Sequence, residues 1–169
     1  IGFGLSLLKK EAAASTGKRV LVSPASVAIA LAMTLNGAKE ATLAAMKATL
    51  GYSETESVEA INASLAAIIA GVTDPNIGVV LKVANAIWAE KNIEFKADFF
   101  DRAAASYNAQ VNTADFLDPK TVDDMNGWAE SNTNGKIPTI IKEISPDMVM
   151  YLLNAVYFKG PWTTKFDKD

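Results

Sequence analysis

The residues able to do chemistry in this chain are few, and two residue types are missing altogether. There is no histidine and no cysteine among the 169 residues. That removes the commonest general base, the commonest metal ligand and all thiolate chemistry. What remains are hydroxyls, amides and carboxylates. Ser23 and Ser26 flank Pro24, and a serine nucleophile there would need a lysine or carboxylate as its base. Asp123 and Asp124 are adjacent, so on a helix they point about 100° apart instead of converging on one substrate atom. They suit the solvated start of a helix, where the dipole favours negative charge. Gly2-Phe-Gly4 follows no strand, so it is not a dinucleotide fingerprint. Asn134-Gly-Lys136 lacks the rest of a phosphate loop. Asn154 is a lone amide in a run of valine, alanine and leucine. Burying it unpaired would cost about 1–3 kcal/mol, so it demands a partner. No cofactor or metal is implied, and the residue types weigh against an enzyme.

The elements that must position these residues can be read in order. Ile1 to Ala14 suits a helix ending near Gly17. Arg19 to Val22 is a short β-branched run that reads as a buried strand. Ser23 can cap a helix whose first position is Pro24, with Val27, Leu31 and Leu35 at helical spacing. Asn36-Gly37 should end it in the left-handed region. A helix over about Lys39–Leu50 follows, with Gly51 after it. Ser53 and Glu56 form an S-x-x-E capping box for another helix, striped by Val58, Ile61, Leu65 and Ile68. Asp74-Pro75-Asn76 is a turn. Val79–Ala89 reads as a mostly buried strand, about Lys96–Tyr107 as a helix, and Gln110–Phe116 as a short strand. Asp118-Pro119 starts another helix, closed by Asn134-Gly135, with Val122, Met125 and Ala129 on one face. Met148–Phe158 is the most hydrophobic strand. Both long strands are apolar on both faces, so their sheet needs cover on both sides. The helices at Pro24–Asn36 and Pro119–Thr133 are the natural covers.

Half of the residues are hydrophobic, enough for one domain-sized core, and the net charge of −3 gives no electrostatic case for nucleic acid. No apolar run approaches the roughly 20 residues that span a membrane. Ile1-Gly-Phe-Gly-Leu5 carries no leader pattern and suggests a processed or trimmed start.

Five stretches, taken together, resemble the serpin family. Val22-Ser-Pro-Ala-Ser-Val-Ala-Ile-Ala-Leu-Ala-Met33 resembles the start of its helix B. Asn36-Gly-Ala-Lys39 with Thr42 is similar to its turn into helix C. Asn85-Ala-Ile-Trp-Ala-Glu90 resembles the second strand of its main sheet. Asn126-Gly-Trp and Thr133-Asn-Gly-Lys-Ile137 resemble the passage from helix F. Asn154-Ala-Val-Tyr-Phe-Lys-Gly-Pro-Trp162 resembles the end of the central strand. The matches fall in the family's order and span nearly the whole chain. Arg19 is a departure, since the family usually has Asn there.

The resemblance implies an α+β fold: many helices around a large, mainly antiparallel sheet, of which residues 1–169 are the N-terminal portion of a single domain. It implies a protease inhibitor whose exposed loop is cleaved and then inserts into the main sheet. That loop would follow this chain, so the partners are a target serine or cysteine protease and the C-terminal remainder. The resemblance assigns Ser23, Pro24, Ser26 and Asn154 to the "shutter", where the strands part, with a hydroxyl from the helix B start as partner of Asn154. It assigns Trp162 and Gly160 to the "breach", and Val122, Met125 and Trp128 to helix F over the sheet. It also slightly favours a secreted location, while the alanine-rich, cysteine-free composition leans towards a prokaryotic source. Some members bind heparin through a basic helix D. Here that segment has Glu54, Glu56 and Glu59 and no lysine or arginine, which argues against heparin. A non-inhibitory member with a binding, storage or chaperone role would have the same half-sequence. An unrelated α/β enzyme would need a convergent polar pocket that the sequence does not supply.

Overall fold

The computed structural model describes residues 2–162 and Thr164. Among the described residues four helices come first and strands then alternate with two more: α1 (Gly2–Ala14), α2 (Pro24–Leu35), α3 (Glu40–Leu50), α4 (Val58–Val72), β1 (Val80–Glu90), α5 (Ala97–Tyr107), β2 (Ala109–Ala114), α6 (Pro119–Asn132) and β3 (Met150–Lys159). A 3-10 turn, Pro75–Ile77, precedes β1.

The helix starts follow local chemistry. Ser23 accepts a hydrogen bond from the Ser26 amide ahead of Pro24, and Asp118 accepts from the Lys120 amide ahead of Pro119. Gly51 closes α3 at φ 84°, a conformation that glycine adopts without a Cβ penalty.

The sheet order is β2-β1-β3. β1 pairs parallel with β2, across the α5 connection, and antiparallel with β3. The architecture is α+β as expected, with a mixed sheet. β1 is the middle strand, and β3 is an edge strand among the described residues. The central position that the resemblance gives β3 belongs to the larger sheet it implies, of which these three strands are a part.

Alternate side chains divide the core in two. One cluster sets Ile87 and Ala109 against α2, α4 and α5 through Met33, Leu35, Ile61, Leu65, Phe99 and Tyr107. The other sets Ala86, Trp88, Leu153 and Ala155 against Met125, Trp128 and Ala129 of α6. The sheet is thus covered on both faces, as its doubly apolar strands require.

Three further expectations change. Arg19–Val22 forms no strand among the described residues, and Leu21 is 98% exposed, because a lone β-branched run has no ladder to join. The capping box at Ser53 is not made: α4 starts at Val58, capped by Ser57, which accepts from the Ala60 amide. The Lys47 ammonium donates to the carbonyls of Glu54 and Glu56 at 3.2 and 2.5 Å, holding 53–57 as a turn. Asn36 ends α2 in right-handed geometry, at φ −63°. Its side chain is recruited into the interior instead.

Candidate functional site

Asn85 and Asn154 are register partners on β1 and β3, so their side chains stand side by side on one face of the sheet. The Asn154 amide nitrogen donates to Asn85 Oδ1 at 2.7 Å. Asn85, 3% exposed, donates in turn to the Tyr107 carbonyl at 2.8 Å. At the other end of Tyr107, its hydroxyl donates to Asn62 Oδ1 at 2.6 Å. Asn62 and Asn36 bond reciprocally at 2.7 and 3.1 Å, and Asn36 also donates to the Ala32 carbonyl at 2.9 Å. One polar spine therefore runs from the end of α2, through α4 and α5, to the outer strand. Burial pushes the Tyr107 phenol up to about 12, a nearby Asn36 amide working the other way, so the hydroxyl stays a donor at any physiological pH.

The spine ends unfinished. Asn154 Oδ1 is buried and accepts no hydrogen bond among the described residues. The expected hydroxyl partner from the helix B start is corrected here: Asn154 bonds Asn85, while Ser23 and Ser26 bond each other, Oγ to Oγ at 2.8 Å. Ser23 is exposed and Ser26 half-buried. Pro24 fixes that corner by packing on α1, where a Cβ on Gly4 would meet Pro24 Cβ at 3.0 Å.

α6 lies across the opposite face. Met125 is fully buried and Trp128 is 8% exposed, both against the strands. Val122 is only half-buried and lines a surface hollow at the margin of that cluster, beside Phe116 and Ile144. Asn126 ties α6 to the chain that returns beneath it. Its Oδ1 accepts from the Ile140 and Ile141 amides at 2.8 and 3.1 Å, and its Nδ2 donates to the Ile141 carbonyl at 2.9 Å. Thr133 adds a bond from the Ile137 amide at 2.9 Å.

At the far end of β3, Trp162 is 70% exposed. Gly160 is closely approached: a Cβ there would lie 2.9 Å from the Phe158 ring and 3.2 Å from Val79. Among the described residues no group of three or more Asp or Glu side chains is placed to hold a metal ion. No helix among them is long and apolar enough to cross a membrane.

Sequence reasoning that asks what a lone amide does in an apolar run finds Asn154. The same question put to Asn62, inside the α4 stripe, and to Asn85, inside β1, would have found the rest of the spine.

Residues 1–169 match the family described as Serpin (serine protease inhibitor). Serpin-ZX of Arabidopsis thaliana is 34% identical over 158 residues, which cover 91% of this chain and 40% of that protein. The thermophilic serpin tengpin, in its latent state, superposes with a TM-score of 0.90 at 38% identity, over 98% of this chain and 44% of that one. Human thyroxine-binding globulin, in a complex with thyroxine, gives a TM-score of 0.87 at 26% identity, over 98% and 45%. The chain belongs to the serpin family. It spans less than half the length of each of these relatives.

Proposed function

We propose that the whole protein is a protease inhibitor that traps a serine or cysteine protease by loop cleavage and sheet insertion, and that this chain supplies the sheet that opens. In this reading the protease is held as an acyl-enzyme while the cleaved loop enters the main sheet as a new strand. The starting state is kinetically trapped above its free-energy minimum. Ser23, Pro24, Ser26 and Asn154 form the shutter region, Gly160 and Trp162 the breach, and α6, through Met125 and Trp128, the cover that must yield.

The observation that carries this reading is β3. It is ten residues long, mostly buried or half-buried, hydrogen-bonded to β1 along one side and crossed by α6. Its other edge pairs with nothing among the described residues, and that edge bears a buried acceptor without a donor. The accessible surface of 11201 Å² also exceeds the roughly 8,000 Å² expected of a folded monomer of this mass. A C-terminal remainder that covers Leu5, Leu21 and Phe158 would account for the excess, since all three are more than half exposed. The α4 helix contains no lysine or arginine, which speaks against heparin at that helix.

The test is incubation of the intact protein with serine and cysteine proteases. A covalent complex that survives detergent is expected; cleavage as a plain substrate would remove the inhibitory reading. The likeness to a thyroxine-binding relative favours a second reading, a carrier that binds a small molecule and inhibits nothing. Thermal unfolding separates the two: loop cleavage should raise the Tm sharply in an inhibitor and leave it nearly unchanged in a non-inhibitory member lacking insertion.

A further inference from the structure

The polar spine has a direction, and the direction follows from which groups can only accept. The Tyr107 carbonyl has no proton, so Asn85 must turn its Nδ2 towards it. That leaves Asn85 Oδ1 facing β3, so Asn154 must present its Nδ2 there. Asn154 is then forced to carry its acceptor at the outer end, where Oδ1 is found buried and unmatched. The far end of the spine is set in the same way. The Ala32 carbonyl accepts from Asn36 Nδ2, which fixes the Asn36–Asn62 pair and leaves Asn62 Oδ1 to receive the Tyr107 hydroxyl. Every amide orientation is therefore dictated by a backbone carbonyl, one on α2 and one at the end of α5.

We propose that Asn36, Asn62, Tyr107 and Asn85 are positioning residues that act through one another to hold the Asn154 side chain in a single orientation, so that the seating of α4 and α5 sets how readily the outer edge of β3 exchanges partners. This rests on the reading of β3 as the strand that admits another segment. Tyr107 is the joint. Its hydroxyl is fastened to α4 and its carbonyl to the sheet, and the residue is 1% exposed. A shift of the Tyr107 backbone to follow its anchored hydroxyl would carry the carbonyl with it. The hydrogen-bonded route from Asn62 and Tyr107 to β3 runs through Asn85.

The experiment uses the intact protein with its asparagines labelled with nitrogen-15. NMR follows hydrogen exchange at the Asn154 side-chain amide, referenced to a backbone amide in α6. Tyr107→Phe removes only the hydroxyl bond to Asn62. It is expected to speed exchange at Asn154 about tenfold relative to the α6 reference, equivalent to about 1.4 kcal/mol, and to accelerate spontaneous conversion to the loop-inserted form. Asn62→Leu should reproduce the effect from the other side of that bond, so the two variants back each other if one folds poorly. On an Asn85→Ala background, where the Asn154 amide has already lost its acceptor, Tyr107→Phe should add nothing at Asn154. Unchanged Asn154 exchange, or equal acceleration of every core amide, would overturn the proposal. The readout needs no protease. An altered Asn154 in a protein that never traps a protease would keep the spine and discard the inhibitory reading; the opposite pair of results would do the reverse.

Discussion

The two faces of the sheet are held by different forces. Towards α2, α4 and α5, an apolar cluster surrounds a directed chain of amides and one phenol. Towards α6 the packing is of tryptophan, methionine and alanine, with an exposed hydrogen bond from Lys82 Nζ of β1 to Asn134 Oδ1 just past the helix. Hydrogen bonds fix angle and partner, whereas apolar contact fixes only area and volume. If the sheet parts as proposed, this asymmetry would serve it: α6 packs on the strands mainly through apolar contact, while the bundle side is held by directed bonds.

The comparison can be broken by substitutions that keep shape and change chemistry. Asn85→Asp preserves volume but puts a carboxylate against the Tyr107 carbonyl. In the intact protein it should cost about 3–5 kcal/mol at pH 7, as an uncompensated buried charge does, measured by urea unfolding. Because burial raises the introduced group's pKa, the penalty should shrink in acid as the carboxyl regains a proton to donate. The equivalent change on the other face, Met125→Leu, should cost under about 1.5 kcal/mol, while Met125→Ala should cost about 2–5 kcal/mol. If the leucine variant proved as damaging as the aspartate one, the contrast between faces would be lost.

Alkaline titration sharpens the same point. The Tyr107 phenol sits at about 12 when folded, above its ordinary 10.0. The folded state therefore holds the proton more tightly, and stability is fully present below pH 10 and falls between about pH 10 and 12. Tyr107→Phe should flatten that part of the stability curve relative to the parent.

A smaller effect is expected in acid. The Glu90 carboxylate accepts from the Phe116 amide at 2.7 Å and from Asn92, which holds its pKa below the usual range. The depressed value means stability present above the ordinary carboxylate range and lost as pH falls through the folded pKa. Glu90→Gln should reduce that acid dependence in pH-stability profiles.

The least disruptive change expected is Trp88→Phe. The Trp88 indole nitrogen is buried and finds no partner among the described residues, so losing it offsets the lost area, leaving Tm within a few degrees.

What the sequence disclosed was what local rules govern. Ser23-Pro24 and Asp118-Pro119 start helices because cap and proline lie within three residues of each other. The start of α4 escaped because Lys47, from the preceding helix, reaches the carbonyls of Glu54 and Glu56 and moves the cap to Ser57. Arg19–Val22 has strand composition, but pairing is a property of two segments and composition belongs to one. Asn154 could be singled out as needing a partner, yet the partner came from β1 and not from Ser23 or Ser26. The choice was made by register, Asn85 directly opposite Asn154, which no spacing rule along a single segment encodes.

Asn126 has a consequence for how the cover on the sheet would travel. Three hydrogen bonds from one side chain clasp 140–141 to the underside of α6. Helix and returning chain are thereby clasped together, and the chain enters β3 at Met150 after the intervening residues 142–149. If the sheet opens as proposed, lifting α6 would pull on β3 through the chain it clasps, so the two movements would be coupled.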